Sequence, residues 1–205
     1  MAEHNPYAVP KAPVADDSTA DNAFAHGAGD VEYGGFWRRV AAQILDALIL
    51  APVSILAVFG VNLTHKFYIY YLLPGILIPL FYSVYLVKRY GGTPGKRIMN
   101  LRIVMTDGSP VTGTAALLRY SVLLVLSALS SIGLAMASTD IDADSYAGLG
   151  FLDKMQMLTA NAPSWYEAAT YGIQGWMVLL IVVMLCNERR RATHDFIAKT
   201  VVIRT

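Results

Sequence analysis

Val40–Gly60 reads VAAQILDALILAPVSILAVFG, an apolar run interrupted only by Gln43, Asp46 and Ser54. A helix of about 20 such residues crosses the hydrocarbon core of a bilayer. Three similar blocks follow. Phe67–Val87 carries no charge, and its Pro74 and Pro79 predict kinks rather than breaks, as spanning helices tolerate. Ala115–Ala137 is broken by Arg119 and small hydroxyl residues. Ile173–Cys186 reaches 17 residues when extended to Tyr171 and Asn187, the short limit for a span. The expected spans are thus about 38–60, 67–87, 115–137 and 171–187.

Composition agrees. Of 205 residues, 55% are hydrophobic and 15% charged, against roughly 25% charged in an average soluble domain. So few charges leave too little polar surface to wrap a water-soluble globule. A net charge of +1 lacks the basic face a nucleic-acid binder needs. The single cysteine, Cys186, has no partner for an internal disulfide. A small integral membrane protein in contact with the lipid bilayer is what remains.

Charge asymmetry predicts orientation. Arg38 and Arg39 precede the first block, and Lys88, Arg89, Lys96, Arg97 and Arg102 separate the second from the third. Arg189, Arg190, Arg191, Lys199 and Arg204 follow the fourth. The other two connections hold only Lys66 and Lys154, and residues 138–170 are acidic. Lysine and arginine concentrate on the cytoplasmic side, so both termini are expected in the cytoplasm. Residues 1–34, with Pro6, Pro10, Pro13 and a net negative charge, have the composition of a disordered tail. Residues 35–205 would form the membrane domain.

Two β-branched runs stand outside the spans. Leu101–Met105 precedes the turn signal Asp107-Gly108, and Thr200–Ile203 comes after the fourth block. An isolated strand leaves its backbone groups unpaired. Pairing 101–105 with 200–204 would cure both and staple the end of the chain to the middle loop.

Asp46 is the sharpest polar feature. Arg39, Gln43 and Asp46 fall on one face of the first helix, with Arg39 about 10.5 Å from Asp46 along the axis. A carboxylate at that depth costs about 2.5–3.5 kcal/mol on insertion scales, so it must face protein or water and find a partner. Arg39, at the limit of reach, and Arg119 are the candidates. Two readings stay open: an acid that titrates or binds a cation during transport, and a clasp that fixes helix register. His194-Asp195 reads as a capped turn rather than half of a metal or acid–base site. Gly91–Arg97 lacks the spacing of a phosphate loop. Acidic residues 140–144 read as a solvated external loop.

Three blocks together resemble the RDD family of small bacterial membrane proteins. They are Gly35–Asp46 (GFWRRVAAQILD), Gly92–Ile98 (GTPGKRI) running on to Asp107-Gly108 with Arg119 downstream, and Thr193–Val202 (THDFIAKTVV). The family is named for one arginine and two aspartates. The resemblance places these on Arg39, on Asp46 and on Asp195, with Asp107 as the alternative second aspartate. It implies a location in the bacterial inner membrane and, loosely, transport of an unidentified ligand.

The resulting expectation is an all-α membrane protein, four transmembrane helices with a small cytoplasmic β element. A functional network would comprise Arg39, Asp46, Asp195, Arg119 and Gln43, with Gly95, Lys96, Arg97 and Asp107 as a cytoplasmic loop motif. No nucleophile–base pair, metal-ligand set or cofactor motif is legible, so no enzyme activity, metal or cofactor is expected. Four helices enclose little space, and a homo-oligomer or membrane partner complex is implied. Transport of an ion or small solute leads; a membrane scaffold recruiting a soluble partner is the alternative. A cavity reaching Asp46 favours the first.

Overall fold

The structure, a computed structural model, describes residues 32–187 and 191–205. Residues 1–31, which hold nearly all of the expected tail, lie outside the described residues. In chain order the elements are α1 (Phe36–Leu63), α2 (Phe67–Tyr90), the short α3 (Pro94–Ile98), β1 (Leu101–Met105), α4 (Gly113–Asp140), α5 (Ala143–Tyr146), α6 (Phe151–Ala160), α7 (Trp165–Cys186), α8 (Thr193–Ile197) and β2 (Thr200–Arg204). Helices α1, α2, α4 and α7 are long and apolar enough to cross a bilayer. The chain is therefore mostly helical with one small sheet, as expected. Ile44, Leu48, Leu56, Val178 and Val182 stand exposed along α1 and α7, the pattern of a surface facing lipid rather than water.

The fourth span is longer than its apolar run. It starts at Trp165 and has 22 residues, because Gly172 and Gly175 and the polar Glu167, Thr170 and Gln174 continue the helix without a breaker. Helix α2 runs through both prolines, with a π-helical turn at Phe81–Tyr85 directly after Pro79. Pro79 removes one backbone donor, and the wider turn that follows re-registers the helix so that Tyr82 is buried. That displacement matters below.

Helix α4 packs along both α2 and α7, while α1 has few contacts with α7. At one end of the bundle, here the sheet end, α2 stops at Gly91, whose φ of +73° is a left-handed C-cap. Thr93 and Pro94 then start α3, where proline's fixed φ suits the first helical position. Strands β1 and β2 pair antiparallel, with Leu101 opposite Arg204 and Met105 opposite Thr200. This is the expected staple. Leu101, Ile103 and Val202 bury one face of the sheet against Ala42 of α1, Val87 of α2 and Ala115 and Ala116 of α4.

The folded unit begins slightly earlier than position 35. Gly34 N–H donates to the Val202 carbonyl at 3.0 Å, Tyr33 bridges to Ile203, and both Glu32 carboxylate oxygens accept from Arg204 at 2.8 and 2.5 Å. Residues 32–34 thus cover the otherwise open edge of β2.

At the opposite end the 138–170 connection is itself folded. Helices α5 and α6 fold over the end of α1 around a core of Val61, Leu134, Ile141 and Leu158. Tyr146 Oη donates to the Val61 carbonyl at 2.7 Å and Lys154 Nζ to the Asn62 carbonyl at 3.1 Å. The last carbonyls of a helix have no partner within it, and these two side chains supply the donors. Asp140, Asp142 and Asp144 are exposed, and Asp142 caps α5 through the Asp144 and Ser145 N–H groups.

Candidate functional site

The first carboxylate lies about 15 Å along α1 from Phe36. Asp46 is 5% exposed. Its Oδ1 accepts from Tyr82 Oη at 2.5 Å and from Gly95 N–H at 2.7 Å, and its Oδ2 accepts from Thr93 Oγ1 at 2.6 Å. Among the described residues no arginine is found at bonding distance from it, and Arg39 and Arg119 both meet Asp195 instead, which corrects the expected Arg39 or Arg119 clasp. The reason is geometric. Short helix α3 crosses α1 closely enough to bring a backbone N–H to the carboxylate, and the π turn of α2 brings Tyr82 from the other side. Three neutral donors then satisfy the acid, each a charge-assisted bond stronger than its neutral counterpart.

Close approach requires glycine at 95. A Cβ there would lie 2.7 Å from Asp46 Oδ1 and would also run into the Ala42 carbonyl of α1. The turn-rich Gly92–Gly95 stretch is legible in the sequence as a loop, but its contact with Asp46 is not.

The second carboxylate collects the arginines. Asp195, on α8, is fully buried. Its Oδ1 accepts from Arg119 of α4 and from Thr200 Oγ1 at 3.2 Å. Its Oδ2 accepts from Arg39 Nη1 at 3.4 Å and from the Ala192 N–H at 3.0 Å. The last bond is the expected capped turn; the two guanidiniums make the residue far more than that. Arg119 also donates to Thr200 Oγ1 at 2.5 Å and to His194 Nε2 at 2.9 Å. An arginine only donates, so His194 Nε2 must be the acceptor and Nδ1 carries the proton.

Electrostatics follow from that crowding. Burial pushes the Asp195 carboxyl up, but Arg119, His194, Arg39 and the Ala192 N–H together hold it well below the usual carboxylate range. The His194 imidazole is pushed down from 6.5 to about 3, by burial first, then by Arg119, with Lys96 and Arg39 adding to it against Asp195. Unfolding lets this ring recover its ordinary value, so the unfolded chain binds the extra proton. Stability is therefore expected to fall as pH drops from about 6.5 towards about 3. His194→Gln should flatten that dependence when unfolding midpoints in detergent are compared across this range. An equally steep wild-type-like slope in the variant would remove His194 as its source.

Of the remaining expected residues, Lys96 joins the site and two do not. Arg97 is exposed and turns back over Tyr90, 5.6 Å from its ring, because successive residues of helix α3 are turned about 100° from one another. Asp107 sits in the exposed turn after β1 and accepts from the Ser109 N–H at 2.9 Å. Of the two candidates for the second family aspartate, Asp195 meets Arg39 and Asp107 stays apart in its turn. Gln43 is exposed and hydrogen-bonds no protein group among the described residues. Among them no group of three His, Cys, Asp or Glu side chains is placed to hold a metal ion.

Asp46 borders a cavity of about 440 Å³. Asp46, Tyr82, Thr93, Lys96, Arg119 and His194 form its polar end, and Leu50, Leu123, Met177 and Leu180 its apolar walls. Exposed Gln43, Ala47 and Met177 mark the open rim, where α1 faces α7.

The RDD family model matches residues 33–199. The uncharacterized protein YckC of Bacillus subtilis (strain 168) is 36% identical over 94 residues, which is 43% of this chain and 57% of that relative. The chain thus spans little more than half the length of this curated relative. No solved structure matches.

Proposed function

Because the chain belongs to the RDD family of multi-pass membrane proteins, we propose that it is a transport-type protein that moves an ion or small solute through the cavity holding Asp46. One observation carries this reading: a cavity of about 440 Å³ reaches the buried carboxylate at span depth. A scaffold has no use for such a space. Intramembrane ionisable groups are costly to bury and are retained where they line pathways. The arginine-rich connections support placing the sheet end in the cytoplasm of the inner membrane. Four helices leave a narrow path, and a homo-oligomer or a membrane partner would complete it. No enzymatic step is needed.

Asp46→Asn tests the reading because it removes charge while keeping shape. The amide oxygen in the Oδ1 position still accepts from Tyr82 and Gly95, and the amide nitrogen in the Oδ2 position donates to Thr93, whose hydroxyl turns to accept. Folded yield is therefore expected to hold within about 1 kcal/mol of wild-type stability. Proton or sodium flux in reconstituted vesicles is expected to fall to background. Wild-type flux no greater than that of empty vesicles would return the protein to the scaffold reading, and unchanged flux in the variant would remove Asp46 from the path.

A further inference from the structure

The cavity has an unbalanced charge and an unusual shape for a path taken by a bare ion. Arg39 and Arg119 both converge on Asp195. Asp46 has its two oxygens filled by Tyr82, Thr93 and Gly95. That leaves the Lys96 ammonium, half-buried at the polar end, with no hydrogen bond or ion pair among the described residues. Among the described residues, Lys96 is thus a cation at this end of the cavity that no carboxylate meets at bonding distance. Burial lowers its value from 10.5 to about 8, with Arg119 adding to the effect and Asp46 and Asp195 opposing it. The ammonium still carries charge at neutral pH, and a half-buried charge gains from an anion beside it.

The rest of the cavity is apolar. Leu50, Leu123, Met177 and Leu180 lead from the polar end towards the rim at Gln43, Ala47 and Met177. The rim lies between two helices whose outer faces carry exposed Leu48, Ile49, Val178 and Leu179, so it opens where acyl chains would stand. A soluble anion would match the lysine and waste the walls. A neutral hydrocarbon would match the walls and leave the lysine unpaired.

We propose that this groove seats one acidic phospholipid, its phosphate against Lys96 and an acyl chain along Leu50, Leu123, Met177 and Leu180 between α1 and α7. Basic pockets between spanning helices are suited to anionic headgroups, and here the apolar walls continue the lipid phase into the protein. The headgroup occupies the polar end beside Arg119 and His194 without displacing the Asp195 cluster. The site is one of binding, and it stands whether or not the protein moves a solute.

The test uses the full chain in nanodiscs of equal parts phosphatidylglycerol and phosphatidylcholine, extracted into detergent and weighed by native mass spectrometry. One phosphatidylglycerol per chain is the expected retained lipid. Lys96→Gln should lower that retention about tenfold, the loss of one favourable charge contact, and Lys96→Arg should preserve it. Ala47→Trp, at the exposed rim, should also lower retention by narrowing the mouth, and it carries the test if Lys96→Gln fails to fold. Equal retention of the two lipids, or retention indifferent to both variants, would overturn the proposal by showing annular lipid only. Displacement by millimolar glycerol phosphate would overturn it too, reassigning the groove to a small soluble anion. Selective retention together with absent flux would sink the transport reading and leave this one intact.

Discussion

Asp195→Asn is expected to be the most damaging single change in the molecule. The substitution keeps the shape of the side chain, so its effect is one of charge and donor count. All four bonds at the two oxygens arrive from donors: Arg119 and Thr200 at Oδ1, Arg39 and Ala192 at Oδ2. Whichever way the amide is turned, its NH₂ meets a group that already donates. Two largely buried guanidiniums also lose their shared anion. Removing one partner of a buried ion pair costs about 3–5 kcal/mol. That is a large share of the roughly 5–15 kcal/mol that holds a typical domain folded. The expected result is a collapse of folded yield in detergent and a steep fall in the unfolding midpoint. Asp107→Asn is the matched control, since that side chain is exposed in a turn and should stay within about 0.5 kcal/mol of wild type. Wild-type stability in Asp195→Asn would show that the arginines are not held by this carboxylate.

Gly95→Ala should come second, and for steric reasons. One methyl would have to sit 2.7 Å from Asp46 Oδ1 and 2.8 Å from its Cγ, and closer still to the Ala42 carbonyl. The carbonyl belongs to the backbone of α1 and does not swing aside. Helix α3 must therefore move away, at about 1–3 kcal/mol for overpacking. The move separates the Gly95 N–H from Asp46, and a buried group left without its bond costs about 1–3 kcal/mol more. Gly35→Ala, where an added Cβ meets nothing within 4 Å, should change the unfolding midpoint little. A tolerated methyl at 95, with flux and midpoint unchanged, would mean that α3 does not press against α1.

The contrast between these sites shows what a sequence displays and what it hides. The spans are legible because the hydrophobic requirement of a bilayer acts on every residue of a run, and Val40–Gly60 satisfies it nearly without exception. The β1–β2 pair is legible because two β-branched runs, each stranded outside the spans, solve one another's unpaired backbone. Arg39 and Asp46 announce themselves as charges in apolar surroundings. Their partners do not. Tyr82 and Thr93 are neutral residues 36 and 47 positions after Asp46, and nothing in their local context distinguishes them from ordinary tyrosine and threonine. The π turn that aims Tyr82 depends on how α2 relaxes after Pro79, a packing outcome rather than a pattern. Asp195 stands 156 positions from Arg39, so spacing along one helix suggested the nearer acid. Closeness in sequence and closeness in space part company here.

The order in which the chain is made gives the Asp195 cluster a further meaning. Arg39 belongs to the first span and Arg119 to the third, while their common anion follows the fourth. During synthesis the ribosome has threaded every hydrophobic segment into the insertion machinery before the carboxylate emerges. Through that interval the two guanidiniums lack the anion they later share. Docking of α8 and β2 onto the bundle then brings it to both, so the first and third spans are tied together by a residue that reaches them last.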